Sequence, residues 1–310
     1  MSEFVRVYEV GPRDGLQNEA AHVSTAQKLQ LVEGLLAAGL AHIEAASFVH
    51  PSAVPQMADA DELISRLLQR HDASNVTFTS LVLNEKGYDR AYEAGCRHVA
   101  LGVAVSNTFS QRNTRMSSEE AFTTVQRLTR RAAADGVWVR AYLMTAWVCP
   151  FEGPQPPRKS LAYARRLWDM GIGELSVADT IGHADPLNVG RLMEEIGRHT
   201  DMARLAVHLH DTQVLGLANA TAALSAGVRI FDSSVGGLGG CPFAPGASGN
   251  LATEDIVFLA YKMGFGAGID LRKLWDVVAF ADKIIGRRVG GRIRDWWESH
   301  AGDEPDIYGL

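Results

Sequence analysis

The sequence contains no apolar run approaching the roughly 18 residues that suggest a membrane-spanning helix, and no low-complexity segment or block of like charge. It has no surplus of basic residues either, since 30 Lys and Arg stand against 36 Asp and Glu for a formal net charge of −6. The first absence argues against a membrane partner. The second leaves nothing that would draw the whole chain to nucleic acid or an anionic surface, so a polyanionic ligand must be met by local arginines. Cysteine is scarce: Cys96, Cys149 and Cys241 are three, with no CxxC pair and no Cys–His finger spacing. That argues against a disulfide framework and for a reducing compartment. Alternating strand residues begin at Phe4 (FVRVYEV), leaving no stretch for a signal or transit peptide, so a cytoplasmic location is expected. Also missing is a GxGxxG turn after the first strand; GPRDG stands there instead, which counts against a doubly wound dinucleotide-binding sheet.

What the sequence does have is a repeated junction. A helical pattern ends in Gly and a strand begins two or three residues later, at Gly39 (LLAAGLAHIEAASF), Gly95 (AYEAGCRHVALGVAV), Gly136 (AAADGVWVRAYLM), Gly171 (LWDMGIGELSVADT) and Gly227 (LSAGVRIFDSSV). Gly tolerates the left-handed backbone of a helix C′ position, so each junction reads as a helix stop followed by a buried strand. With the N-terminal strand, one at Val76–Leu83 and one at Leu205–Asp211, the strand candidates number eight. Strands alternating with amphipathic helices over this length predict a (β/α)8 TIM barrel, α/β in class, with an open doubly wound sheet as the competitor. Residues 1–293 read as the barrel and 294–310 as a C-terminal extension. In a barrel the chemistry gathers at the C-terminal ends of the strands.

Those ends carry polar residues where packing alone would call for apolar ones. The first gives Arg13-Asp14-Gly15, a cation for developing negative charge and a carboxylate for a metal or a proton; the plainer alternative is a salt-bridged turn with Gly15 at positive φ. The seventh gives His208-Leu209-His210-Asp211-Thr212. Residues i and i+2 of a strand share a face, so the two imidazoles project together and form half of a metal site, with Asp14 a plausible third ligand. A lone histidine is usually a satisfied core residue; a pair at a strand end is less easily explained so. Glu44 and Asp179 end the second and sixth strands and suit either ligand positioning or rim salt bridges with Arg13 or Arg140. Cys241 lies in GGLGGCPFAPGASGN, after strand eight. Glycines of that density suit a loop that closes over a site, and a thiol with a pKa near ~8.5 can act as an acid. Cys96 and Cys149 sit at apolar junctions and read as core.

Taken in order, GPRDGLQNE (11–19), EAASFVHPSAVPQM (44–57), CPFEG (149–153), ELSVADTIG (174–182), HLHDT (208–212) and DSSVGGLGGCPFAPGASGNLATED (232–255) resemble the 3-hydroxy-3-methylglutaryl-coenzyme A lyase family through nearly the whole chain. The resemblance implies divalent-metal-dependent, retro-Claisen cleavage of a branched 3-hydroxyacyl-CoA into an acyl-CoA and a ketoacid, with Mg²⁺ or Mn²⁺ as cofactor. It implies Asp14, His208, His210 and Asn250 as metal ligands, with Arg13, Asp14, His208 and Cys241 in the chemistry. Gln17, Glu44, Ser47, Ser176, Asp179 and Thr180, together with Arg13, are implied on the substrate side. An acyl-CoA is then the partner molecule and a homodimer the expected assembly. Arg112, Arg115, Arg287 and Arg288 are candidates for the coenzyme phosphates.

The chain departs from the family pattern at Ala20-Ala21, where a lysine commonly follows GLQNE, at Ser52, where a second lysine is absent, and at Gln213-Val214, where Tyr-Gly is usual. These changes leave the metal chemistry intact and leave room for a longer, bulkier or differently charged acyl group, or for a citramalyl-type substrate. A Claisen-condensing synthase of the same superfamily shares the RDG and HxH motifs but is disfavoured by the thiol loop. A non-catalytic CoA- or metal-binding barrel is disfavoured by the intact site residues.

Overall fold

A computed structural model describes residues 3–72, 75–240 and 249–300. Eight strands form the barrel: β1 Arg6–Glu9, β2 His42–Ser47, β3 Thr77–Leu81, β4 His98–Ala104, β5 Trp138–Met144, β6 Glu174–Ala178, β7 Leu205–His208 and β8 Ile230–Ser233. Every pairing is parallel, and β8 closes on β1 with Tyr8 opposite Asp232 and Glu9 opposite Ser233. The closed ring expected from the junctions is thus the observed fold. The five junction glycines all adopt positive φ, from 68° at Gly136 to 102° at Gly39. At Gly39 a side chain is excluded twice over, because a Cβ would lie 2.3 Å from the carbonyl oxygen of Gly268.

The helices begin where side chains can cap them. Ser24 and Ser117 form reciprocal capping boxes with Gln27 and Glu120 at the starts of Thr25–Ala37 and Ser118–Asp135, and Asn84 and Asp185 cap Glu85–Glu93 and Pro186–Gly197. Strand alternation then divides the barrel into two environments. One set of side chains (Val7, Ile43, Val99, Leu101, Val139, Ala141, Leu175, Val177, Val207, Phe231) is fully or almost fully buried in the apolar layer shared with the helices. The other set (Tyr8, Glu44, Arg140, Tyr142, Ser176, His208, Asp232) meets inside the barrel through polar contacts. The interior is therefore a packed polar network beneath the mouth. Cys96 and Cys149 are buried free thiols, as expected of core residues. Beyond the barrel, Arg294–His300 is helical and Trp297 stacks on Trp275 of the helix Leu271–Ile285. No helix among the described residues is long and apolar enough to cross a membrane.

Candidate active site

The chain leaves β1 in one wide turn, Gly11–Gly15, in which the carbonyl of Val10 accepts from the backbone N–H groups of Arg13, Asp14 and Gly15. The turn sets Arg13 and Asp14 side by side, with Arg13 Nη1 donating to Asp14 Oδ1 at 2.5 Å. Gly15 is not at positive φ. Its small size is needed for close approach, since a Cβ there would lie 2.8 Å from Ser234 Oγ and 2.9 Å from Leu238 Cβ. Arg13 Nε donates to Glu44 Oε1, and Glu44 Oε2 accepts from the Tyr142 hydroxyl at 2.6 Å. Nη2 of Arg13 has no hydrogen-bond partner among the described residues, so one donor of the guanidinium fork is free for a ligand. Gln17 Nε2 donates to Asp14 Oδ1 at 3.0 Å.

His208 and His210 project to the same face, as the spacing predicts, with ring centroids 5.0 Å apart. The tautomer of each follows from its neighbour. Nδ1 of His208 faces Asp232 Oδ2 at 3.2 Å and Nδ1 of His210 faces the carbonyl of Asp179 at 2.9 Å. Both partners can only accept, so each Nδ1 carries a proton, and in the neutral ring the lone pair is then on Nε2. Burial, reinforced by His208, pushes the His210 pKa down to about 4 and keeps that ring neutral. Burial alone would raise Asp14, but Arg13, His208 and His210 outweigh it and hold its carboxyl below the usual range. Ligand atoms of Asp14, His208 and His210 all lie within 4.8 Å of one another.

Asn250 reaches this cluster through the chain that follows the glycine-rich stretch. Gly249–Leu251 runs antiparallel to the end of the seventh strand: His210 bridges Asn250, and Leu251 N donates to the Leu209 carbonyl at 2.9 Å. Asn250 Nδ2 donates to Asp14 Oδ2 and to the Leu238 carbonyl, each at 3.0 Å, while its Oδ1 is buried without a partner among the described residues. A buried carbonyl oxygen with nothing to accept, beside a carboxylate and two imidazole lone pairs, is a donor set that fits a divalent cation. Cys241 lies outside the described residues. The described residues flanking it border the site: Gly240 O accepts from Asn18, and Gly249 O accepts from Asp211 N.

The other expected residues are distributed around this cluster. Asp179 accepts from the N–H groups of His183 and Ala184, and burial raises its pKa to about 6 despite those bonds. It sits beside the Asp14, His208 and His210 cluster through its own carbonyl, which accepts from His210. Thr180 Oγ1 accepts from Thr145 N, and Ser47 Oγ is buried without a partner among the described residues. Ser176 is placed lower, donating to Asp232 Oδ2 at 2.9 Å, where it braces the carboxylate behind His208. Of the basic candidates, Arg287 pairs with Glu19 and Arg288 with Asp295 and Glu298, while Arg112 stacks on Phe151 and Arg115 closes the helix Asn107–Thr114. Two site residues had no role assigned from sequence. Asp232 was visible only as the first letter of DSSV, and Tyr142 only as an alternating residue of VRAYL.

The HMGL-like family model matches residues 5–280. A hydroxymethylglutaryl-CoA lyase of Pseudomonas mevalonii is 45% identical over 275 residues, covering 89% of this chain and 90% of that one. A 3-hydroxy-3-isohexenylglutaryl-CoA/hydroxymethylglutaryl-CoA lyase of Pseudomonas aeruginosa is 41% identical, covering 93% and 95%. Among solved structures, a hydroxymethylglutaryl-CoA lyase of Pseudomonas aeruginosa superposes with a TM-score of 0.91 at 39% identity, covering 96% of this chain and 99% of that one. An HMG-CoA lyase of Acinetobacter baumannii in complex with coenzyme A and 3-methylmalate gives 0.90 at 33%, covering 98% and 96%. With the family model running from the first barrel strand into the helix Leu271–Ile285, and with relatives this similar over this much of their length, the chain belongs to the HMGL-like family.

Proposed function

We propose that this protein is a divalent-metal-dependent carbon–carbon lyase that cleaves 3-hydroxy-3-methylglutaryl-CoA, or a closely related branched 3-hydroxyacyl-CoA, into acetyl-CoA and a ketoacid, acetoacetate for the methyl substrate. The observation that carries the reading is the convergence of Arg13 with Asp14, His208, His210 and the unpartnered Asn250 Oδ1 at one end of the barrel. The four latter residues would hold the ion; Mg²⁺ or Mn²⁺ suits two imidazoles with oxygen donors. When bound, it supplies a Lewis acid that makes the substrate hydroxyl more acidic.

The protein's own groups then have separate tasks. The C3 hydroxyl proton passes to a carboxylate oxygen of Asp14, whose Oδ2 lies 3.9 Å from Nε2 of His208. The C2–C3 bond breaks, its electrons passing to C2 as the enolate of acetyl-CoA while C3 becomes the ketone of the ketoacid. Arg13, fixed by Glu44 and Asp14 with Nη2 to spare, meets the developing negative charge on the thioester oxygen. Cys241 delivers a proton to C2. Arg112 and Arg115, just beyond the C-terminal end of β4, are the candidates for the coenzyme phosphates.

The acyl group is the open variable of this reading. The isohexenylglutaryl relative and this chain's Ala20, Ala21, Ser52, Gln213 and Val214 favour testing longer substituents. The deciding experiment offers a panel of 3-hydroxy-3-alkylglutaryl- and citramalyl-CoA thioesters and scores ketoacid release with and without metal. Turnover of at least one thioester, abolished by exhaustive chelation and restored by Mg²⁺ or Mn²⁺, is expected. Full activity after chelation, or condensation of acetyl-CoA with a ketoacid and no cleavage, would refute it.

A further inference from the structure

Arg140, in the middle of β5, is completely enclosed inside the barrel. Its Nη2 and Nη1 bind the two oxygens of Asp232 at 2.5 and 3.0 Å, its Nε donates to Glu174 at 2.7 Å, and its face lies 4.0 Å from the centre of the Tyr8 ring. Two lines of contact rise from it to the mouth. One runs through Asp232, braced by Ser176, to Nδ1 of His208. The other runs through the Tyr142 hydroxyl, which accepts from Arg140 at 2.8 Å and donates to Glu44 at 2.6 Å, and from Glu44 to Arg13. Stability alone does not call for such a cluster, because buried ion pairs are often matched or bettered by apolar residues of similar volume. Its geometry gives it another task. His210 is oriented by a neutral backbone carbonyl, whereas His208 is oriented by a carboxylate that is itself clamped by Arg140.

We propose that Arg140 and Asp232 are positioning residues: Asp232 fixes His208 so that Nε2 faces Asp14 and His210, and the same guanidinium sets Arg13 through Tyr142 and Glu44. The inference rests on the reading of His208 as a metal ligand, and the two can be separated by experiment. Mn²⁺ binding to the full-length protein is measured by calorimetry or by loss of the free-ion EPR signal for the wild type, Asp232→Asn and Tyr142→Phe, beside kcat and KM for the thioester. Asp232→Asn is expected to weaken Mn²⁺ binding about 10- to 100-fold, the range found when an outer-shell partner of a metal ligand is lost. Tyr142→Phe is expected to leave Mn²⁺ affinity within about 2-fold of wild type, because it keeps the ring that packs edge-on against His208 and removes only the hydroxyl between Arg140 and Glu44, while lowering kcat. If Asp232→Asn does not yield folded protein, Ser176→Ala removes one bond to the same oxygen and carries the test, with roughly 3-fold or greater weakening expected. A wild type that binds Mn²⁺ with Asp232→Asn, or in its place Ser176→Ala, binding equally well overturns the inference and spares the metal site. A folded wild type that binds no Mn²⁺ overturns both. Equal loss of Mn²⁺ affinity in Tyr142→Phe also overturns it, by showing a general loosening of the barrel.

Discussion

Replacing Arg13 by lysine preserves its charge and removes its fork, and that distinction tests the role assigned to it. In the wild type, Nε is committed to Glu44 and Nη1 to Asp14, so the donor left for substrate is Nη2, held in the plane fixed by the other two bonds. An ammonium has three rotatable donors on a flexible stem and cannot satisfy two carboxylates and still present a preset third. The expected loss is that of one preorganised oxyanion donor, about 10²- to 10³-fold in kcat, or about 3–4 kcal/mol of transition-state stabilisation. Arg13→Met should lose at least as much activity. It should also be less stable, since the fully buried Glu44 would keep only the Tyr142 hydroxyl, and breaking a buried pair costs roughly 3–5 kcal/mol. Mn²⁺ affinity should not fall in either variant, because Arg13 competes with the metal for Asp14. Steady-state ketoacid release gives kcat and KM, and calorimetry gives the metal affinity. An Arg13→Lys enzyme retaining more than about a third of wild-type kcat would refute the assignment, since the fork would then be dispensable.

Three further outcomes follow from the same structure. Gly39→Ala, at φ 102° and with its Cβ 2.3 Å from the Gly268 oxygen, should lower the melting temperature clearly more than Gly171→Ala, at φ 82° with nothing within 4 Å; the latter should cost only the left-handed backbone penalty of roughly 1–2 kcal/mol, and equal losses would contradict the packing argument. Burial raises Glu9 from 4.5 to about 7, so its contribution to stability is fully present below about pH 4.5 and is lost as pH rises through about 7. Glu9→Gln, which can still meet Thr253, should remove on the order of 3 kcal/mol of that decline from denaturation curves taken across the range. Finally, Mn²⁺ at about 100 times its Kd should stabilise the native protein by about 2.7 kcal/mol, read as a rise in melting temperature, and His210→Ala should abolish most of that rise.

The fold was legible because its determinants are local. Each glycine junction combines a helix stop with the start of a buried strand, and five repetitions leave few architectures able to use them. The pairing of His208 with His210 was legible for the same reason, since a strand's two-residue period puts them on one face. Asn250 was reached only by resemblance. What brings it to His210 is an isolated antiparallel bridge formed after a glycine-rich stretch, and no periodicity marks such a contact. Ser176 shows the complementary case. It was named only by resemblance, on the substrate side; depth along the strand decides whether an inward residue meets substrate or the network below, and here it meets Asp232.

The buried network was the least legible part, and barrel closure explains why. Arg140 and Asp232 lie on β5 and β8, strands that are not neighbours in the ring, and their side chains meet only across the interior. Alternation identifies each as inward, yet a single sequence does not say which opposite charge faces which. In an open sheet a charge at such a position can reach the solvent at an edge or a face. In a closed barrel it cannot, so an inward arginine in mid-strand demands carboxylate partners from other strands, and Glu174 and Asp232 supply them. The pair holds the Asp232 carboxyl ionised: burial opposes this, but Arg140 outweighs it and brings the pKa down to about 2. A carboxylate fixed in charge and place can only accept, and so dictates a single tautomer to His208. On the proposed reading the chemistry at the mouth is set in part by residues buried beneath it, and an unexplained charge in the middle of a barrel strand is a signal to look for the mouth residue it orients.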